Sequence, residues 1–88
     1  MTAREKAEFA GYEDIMLFAN YSYDDAFIGV SEDGRAVYDY AKMVEWLMKE
    51  ENWTEEEAVE WIDYNAIRSI PYWGDEAPII MYPIDFIC

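Results

Sequence analysis

The run Ala26-Phe27-Ile28-Gly29-Val30-Ser31-Glu32-Asp33-Gly34-Arg35-Ala36-Val37-Tyr38-Asp39-Tyr40 decides how the chain is read. Two segments rich in β-branched and aromatic side chains, residues 26–30 and 35–40, flank an Asp33-Gly34 step. Glycine accepts the positive φ of a tight turn, so the pattern spells a β-hairpin. From Tyr40 to Glu51 the period becomes helical, with Val44, Leu47 and Met48 on one side and Glu45 and Lys49 paired at i,i+4 on another. Asn52-Trp53 ends that helix. Thr54 and Glu57 have capping-box spacing, and Glu55, Glu56 and Glu57 complement the helix dipole, so a second helix starts there. Its inner side holds Ala58, Val59, Ile62 and Ala66, flanked by Trp61 and Asn65, and Ile70-Pro71 stops it.

Trp73-Gly74-Asp75-Glu76-Ala77-Pro78 reads as a turn and Ile79-Ile80-Met81-Tyr82 as a last strand. Asn65, beside the buried helix face, is expected to tie the helix end to the turn at Gly74. At the other end, Thr2 and Glu5 form another capping box, and Ala3, Ala7, Phe9 and Ala10 give a weak stripe that Gly11 closes. Residues 12–18 admit a helical turn or an extended segment, because their apolar cluster is too brief for periodicity to decide. Residues 20–25 are turn formers. Val44-Glu45-Trp46-Leu47 is echoed by Val59-Glu60-Trp61-Ile62, but one short echo does not make a repeat protein. The expected architecture is one α+β domain spanning 1–88. It has a small antiparallel sheet, the hairpin plus the C-terminal strand, packed against two or three helices. The second sheet face is left for the N-terminal segment or another copy of the chain.

Composition narrows the function. Twenty acidic against six basic side chains give a net charge of -14, so no basic patch exists to neutralise phosphates, and direct nucleic-acid or anionic-membrane binding is excluded. The charge alone suggests disorder, but 53% hydrophobic and 18% aromatic residues supply a core. The first residues are charged where a signal peptide turns apolar, and no apolar run reaches the ~18 residues of a membrane span. A cytoplasmic location is expected, and the Asn20-Tyr21-Ser22 and Asn52-Trp53-Thr54 sequons then carry no meaning. Cys88 is a lone cysteine, so no internal disulfide forms.

Catalysis finds no support. Histidine is absent, no Ser or Cys has an activating partner, and no phosphate-cradling glycine loop occurs. Asp24-Asp25, Asp75-Glu76 and Asp39 lack metal-loop spacing, and backbone capping explains them better than a calcium or magnesium site. No catalytic residue, metal ligand or cofactor is therefore assigned.

Two features remain. Glu50, Glu51, Glu55, Glu56, Glu57, Glu60 and Asp63 crowd a stretch without a basic residue. Helical spacing puts Glu56, Glu60 and Asp63 on one face. Four residues advance a helix by ~6 Å, roughly two phosphate steps along one nucleic-acid strand. The same carboxylates also suit an ordinary solvated face, which composition alone favours. Aromatic side chains are the second feature, since Trp46, Trp53, Trp61, Trp73, Tyr21, Tyr23, Tyr64 and Tyr72 exceed what one small core hides. Two or three are expected at the surface, with Trp53 and Tyr72-Trp73 chosen beside turns. The candidate partner-binding set is Glu50, Glu51, Glu55, Glu56, Glu60, Asp63, Trp53, Tyr72 and Trp73.

A wider pattern runs through Leu17-Phe18, Tyr23-Asp24-Asp25-Ala26-Phe27-Ile28-Gly29-Val30, Ala36-Val37-Tyr38-Asp39, Leu47-Met48, Thr54-Glu55-Glu56-Glu57-Ala58-Val59-Glu60, Asp63-Tyr64-Asn65 and Gly74-Asp75-Glu76-Ala77-Pro78-Ile79-Ile80. Over roughly residues 12–82 it resembles a widespread family of small acidic bacterial and phage proteins with no assigned activity. Arg68-Ser69-Ile70-Pro71-Tyr72 departs from that pattern. By size and charge only, the chain is similar to phage-encoded anti-defence inhibitors of the anti-CRISPR or anti-restriction kind. The resemblance implies a context and no mechanism. The expectation is a non-enzymatic inhibitor that mimics nucleic acid and binds the basic surface of a nucleic-acid-binding enzyme. The alternative is a structural or regulatory homo-oligomer whose acidity serves solubility.

Overall fold

The hairpin forms where the sequence places it. In the computed structural model, which describes residues 1–19 and 21–87, β1 (Phe27–Val30) pairs antiparallel with β2 (Ala36–Asp39). Asn20 and Cys88, on which two of the readings above fall, lie outside the described residues. Gly34 turns the chain at φ 85°, with its N–H donating to the Ser31 carbonyl at 2.9 Å. The register slips between Phe27 and Gly29, a bulge that leaves Ile28 exposed.

The fold class is α+β, but the sheet is mixed. β3 (Ile79–Met81) lies beside β2 and runs parallel to it, Val37 opposite Ile79 and Asp39 opposite Met81. The expected antiparallel pairing fails on connection length, because two helices separate β2 from β3. A hairpin reverses direction at once, whereas a helical crossover carries the chain back to the end where the first strand began.

α2 (Tyr40–Glu51) follows β2 without a loop, because Asp39 ends the strand and caps the helix, its Oδ1 accepting the Lys42 N–H at 3.1 Å. Tyr40, Met43, Val44 and Leu47 face inward, and Asn52 in the left-handed conformation terminates the helix. α3 (Glu55–Trp61) opens on the capping box: Thr54 Oγ1 accepts the Glu57 N–H at 3.2 Å, and Glu57 Oε1 accepts the Thr54 N–H at 2.9 Å. Past Trp61 the same helix widens into a π-helix over Ile62–Ile67, closed by the Arg68 N–H on the Asp63 carbonyl at 3.3 Å. The wider turn keeps Ile62 and Ala66 buried and puts Asp63, Tyr64 and Asn65 outside together. Asn65 is consequently not the tie to Gly74 expected from sequence: its Nδ2 donates back to the Trp61 carbonyl at 3.0 Å.

α1 (Ala3–Phe9) is capped by Thr2 and Glu5, and Gly11 at φ 92° ends it. It turns Ala3 and Ala7 to the core and leaves Phe9 exposed. The Ala3 N–H donates to Asp24 Oδ1 at 2.7 Å and Lys6 Nζ to the Asp24 carbonyl, so α1 is latched to the turn before β1. Residues 12–18 are neither helix nor strand, yet Ile15 and Phe18 are buried. A short helix, α4 (Ile84–Ile87), follows β3.

Phe27, Ala36 and Tyr38 join Met43, Val44, Leu47, Ala58 and Ile62 in one core on the helical side of the sheet, and α1 enters that same core. Val37, Ile79 and Met81, half-buried, alternate with the core-facing Tyr38 and Ile80 and so line the opposite face. α1, one of the two covers expected for the second face, packs into the core instead.

Leu47 has no exposure, so Leu47→Ala should lower the unfolding free energy by ~2–5 kcal/mol through lost burial and a residual cavity. Phe9→Ala, on the exposed side of α1, should change it by less than ~0.5 kcal/mol. Urea unfolding followed by far-ultraviolet circular dichroism measures both.

Candidate interaction surface

The acidic stretch reaches the surface intact. Glu50 and Glu51 end α2, Glu55, Glu56, Glu57 and Glu60 belong to α3, Asp63 opens the π-helix, and all seven side chains are exposed. Two of them are committed to the fold. Glu57 closes the capping box, and Asp63 Oδ1 accepts the Tyr40 hydroxyl at 2.7 Å. Glu56 and Glu60 remain one α-helical turn apart, as their spacing dictates. The π-helix breaks the row after Glu60, so Asp63 is a brace between α2 and α3 more than a third step of a regular charge ladder.

What neutralises this charge is decided by where the cations go. Arg4 Nη1 donates to the Glu13 carbonyl at 3.0 Å and the Ile15 carbonyl at 3.3 Å. Lys6 holds the Asp24 carbonyl, and Arg35 Nε donates to the Ala77 carbonyl at 2.7 Å, tying the hairpin to the segment before β3. Arg68 lies over the Tyr64 ring at 4.9 Å. Among the described residues the only ion pair is Arg35 with Asp33 at 4.0 Å, on the hairpin turn. The carboxylates between Glu50 and Asp63 therefore have no cationic partner within that distance.

The aromatic expectations divide. Tyr72 is 89% exposed, on the short 3₁₀ turn Ile70–Tyr72. Trp53 and Trp73 are instead half-buried against the core, Trp73 with its ring 5.4 Å from Phe18. They are structural because both flank turns that fold back over the helices. Five aromatic side chains are exposed among the described residues, namely Phe9, Tyr12, Tyr64, Tyr72 and Tyr82, more than the two or three expected. Sequence reasoning missed Tyr64, which the π-helix turns outward. With Trp53, Ile67 and Arg68 it lines a shallow groove edged by Glu57, Glu60 and Asp63. Apolar floor and acidic rim make this groove the most partner-like surface of the chain.

Of the carboxylates weighed as metal ligands, Asp24 and Asp39 accept backbone amides. Asp24 binds the α1 amide, Asp39 caps α2, and Asp75 and Glu76 stand exposed in the turn where the Ala77 N–H meets the Gly74 carbonyl at 3.4 Å.

Comparisons of the chain with protein-family models, curated proteins and solved structures give no match.

Several phenols are held above their ordinary value near 10. Burial raises Tyr23, and burial followed by the Asp63 carboxylate raises Tyr40 and Tyr82. Burial pushes Tyr38 up to about 12 against a smaller lowering by the Phe18 backbone. Below about pH 10 folded and unfolded chains keep these protons equally. Above it the unfolded chain releases them first, so stability should fall as pH rises from about 10 towards 12. Alkaline titration with tyrosinate absorbance and circular dichroism should show ionisation of these tyrosines coinciding with unfolding. Their ionisation in a still-folded protein would contradict the assignment.

Proposed function

We propose that this chain is a non-enzymatic interaction protein whose acidic α3 surface occupies the basic, nucleic-acid-binding surface of another protein and inhibits it by competition. The observation that carries the reading is the exposed carboxylate field of 50–63, which has no ion pair among the described residues, with Arg4 and Arg35 held on backbone carbonyls and Arg68 over the Tyr64 ring in the groove. Maintaining such a field costs self-repulsion, and a basic partner would relieve it. The groove beside it supplies what charge alone lacks. Tyr64 and Trp53 offer apolar area for a central contact, and Glu57, Glu60 and Asp63 form a rim that steers a basic surface into register.

Glu56→Lys together with Glu60→Lys should leave the circular dichroism spectrum unchanged, since both side chains are exposed and hold no hydrogen bond that braces the fold. Capture from a bacterial lysate at low salt, eluted by salt or by duplex DNA, should recover a nucleic-acid-binding protein with the natural chain. The double variant should lose at least about tenfold of that binding. Equal capture by both, or a partner that duplex DNA does not displace, rejects mimicry by this face.

A second reading rests on the other side of the sheet, where Val37, Ile79 and Met81 form an apolar face beside exposed Ile28. On that reading the chain is a homo-oligomer joined through its sheets, and its charge serves solubility. Sedimentation equilibrium decides it: a multimer that persists in high salt supports the oligomer, and a monomer at every concentration rejects it.

A further inference from the structure

Three departures from regular structure meet at one cavity. Between Phe18, Ala19, Tyr21 and Tyr23 on one side and the end of α3 on the other lies a pocket of about 260 Å³, in which Phe18, Tyr23 and Ala66 are buried. Tyr21, Trp61 and Trp73 stand half-buried around it, and exposed Ala19 and Asn65 mark its mouth. Tyr23, an aromatic residue, holds the left-handed conformation at φ 47°, which costs energy for any side chain with a Cβ. It is only 1% exposed, and its hydroxyl has no hydrogen-bond partner among the described residues. The wall contributed by Asn65 and Ala66 belongs to the π-helix, a weaker helical form that recurs at binding sites. A core optimised for stability alone would contain none of the three, and here they share one pocket.

The lining tells which guest fits. Tyr21 and Trp61 meet edge to face at 4.9 Å, Phe18 and Trp73 lie at 5.4 Å, and Phe18 and Tyr23 at 5.6 Å, so aromatic rings packed against one another line the space. Two of its polar groups are already occupied: Asn65 Nδ2 on the Trp61 carbonyl and Ser69 Oγ on the Ala66 carbonyl at 2.8 Å. Five of the nine lining side chains are aromatic, which favours a guest whose own surface is mostly carbon. A neutral apolar guest would gain nothing from the charge nearby, where Glu51 stands beside the Tyr21 phenol and, after burial, helps hold its proton. The volume exceeds the roughly 150 Å³ that accommodates a benzene-sized guest.

We propose that this pocket binds an organic cation, an ammonium group whose hydrogens are mostly replaced by carbon, held by cation–π attraction to Tyr21, Trp61 and Trp73 with Tyr23 also in its lining. The group arrives either on a small free amine or on the methylated lysine side chain of a protein. The site does not depend on the acidic α3 face and is tested without any partner protein.

The full chain is titrated with choline, with its uncharged isostere 3,3-dimethylbutan-1-ol, and with a trimethyl-lysine derivative blocked at both ends, and the tryptophan indole N–H resonances are followed. Choline should shift the Trp61 and Trp73 signals more than that of Trp53 and bind about tenfold tighter than the alcohol. Tyr21→Leu, which keeps apolar bulk but removes the π face, should cost choline several-fold and leave the alcohol unchanged. Trp61→Leu provides the same comparison if the first variant fails to fold. Binding of choline alone assigns a free amine, and binding of the lysine derivative as well assigns a side chain. Equal affinity for choline and the alcohol, or no shift with any cation well above millimolar concentration, overturns the proposal.

Discussion

Tyr38 sits fully buried on the central strand, and its ring meets Phe18 at 4.8 Å, Phe27 at 5.6 Å and Tyr23 at 6.4 Å. Those contacts join three parts of the chain that no hydrogen-bond ladder connects: the irregular 12–18 segment, the turn into β1, and the sheet. In so short a chain the fraction of surface that can be buried is small, so large rings concentrate the burial that a longer chain spreads over many aliphatic residues. The segment around Ile15 and Phe18 is held without secondary structure by its buried side chains and by Arg4 on the Glu13 and Ile15 carbonyls. The left-handed turn at Tyr23 follows from the same demand, since the ring must be delivered to Phe18 and Tyr38 while the backbone turns into β1.

That aromatic attachment frees the charged residues from any duty in the core, and the two signs are used differently. Cations act as local latches on backbone carbonyls: Arg4 on the 13–15 strand of chain, Lys6 on Asp24, Arg35 on Ala77. A charge-assisted hydrogen bond to a carbonyl fixes an irregular segment that lacks ladder bonds, and it consumes the donor without cancelling a carboxylate. Carboxylates cap helices where the geometry calls for an acceptor, at Glu5, Asp39 and Glu57, Asp24 and Asp63 tie neighbouring elements together, and the rest are exposed. The acidic surplus is thus concentrated by arrangement as well as by composition. Around α3 it is concentrated most, because that helix begins with three glutamates and no lysine or arginine follows until Arg68.

Much of this was legible in the residues. Both capping boxes, the Gly34 turn, the extent of α2 and the break at Asn52 are written in local chemistry, where a side chain satisfies or releases a backbone group a few residues away. What escaped depends on distance or on competition. The direction of β3 is set by the crossover and not by the apolar run of 79–82. The π-helix is invisible to a 3.6-residue reading because Ile62 and Ala66 keep the same spacing either way, and only the outward swing of Tyr64 and Asn65 betrays it. Two of the three chosen aromatics turned inward for a related reason: Trp53 and Trp73 flank turns, but turns in a small domain lie against the core they connect. Exposure of the acidic stretch, by contrast, was dictated by the cost of desolvating a carboxylate, and all seven of its side chains from Glu50 to Asp63 are exposed.

Trp61 is where these strands of argument meet. It is the last residue of regular α3, its carbonyl accepts the Asn65 amide, and its half-buried ring lines both the aromatic pocket and the acid-rimmed groove. A π-helix that starts at the next residue lets the ring lie between the two concavities while Ile62 still reaches the core. Had the α-helix continued regularly, each turn would hold about one residue fewer, and Asp63, Tyr64 and Ala66 would face elsewhere relative to Tyr40. The wider turn therefore sets three things at once: the wall of the pocket, the outward face of Tyr64 and the bond from Tyr40 to Asp63. A single irregularity thus shapes two concave, aromatic surfaces, of which the groove is rimmed by Glu57, Glu60 and Asp63.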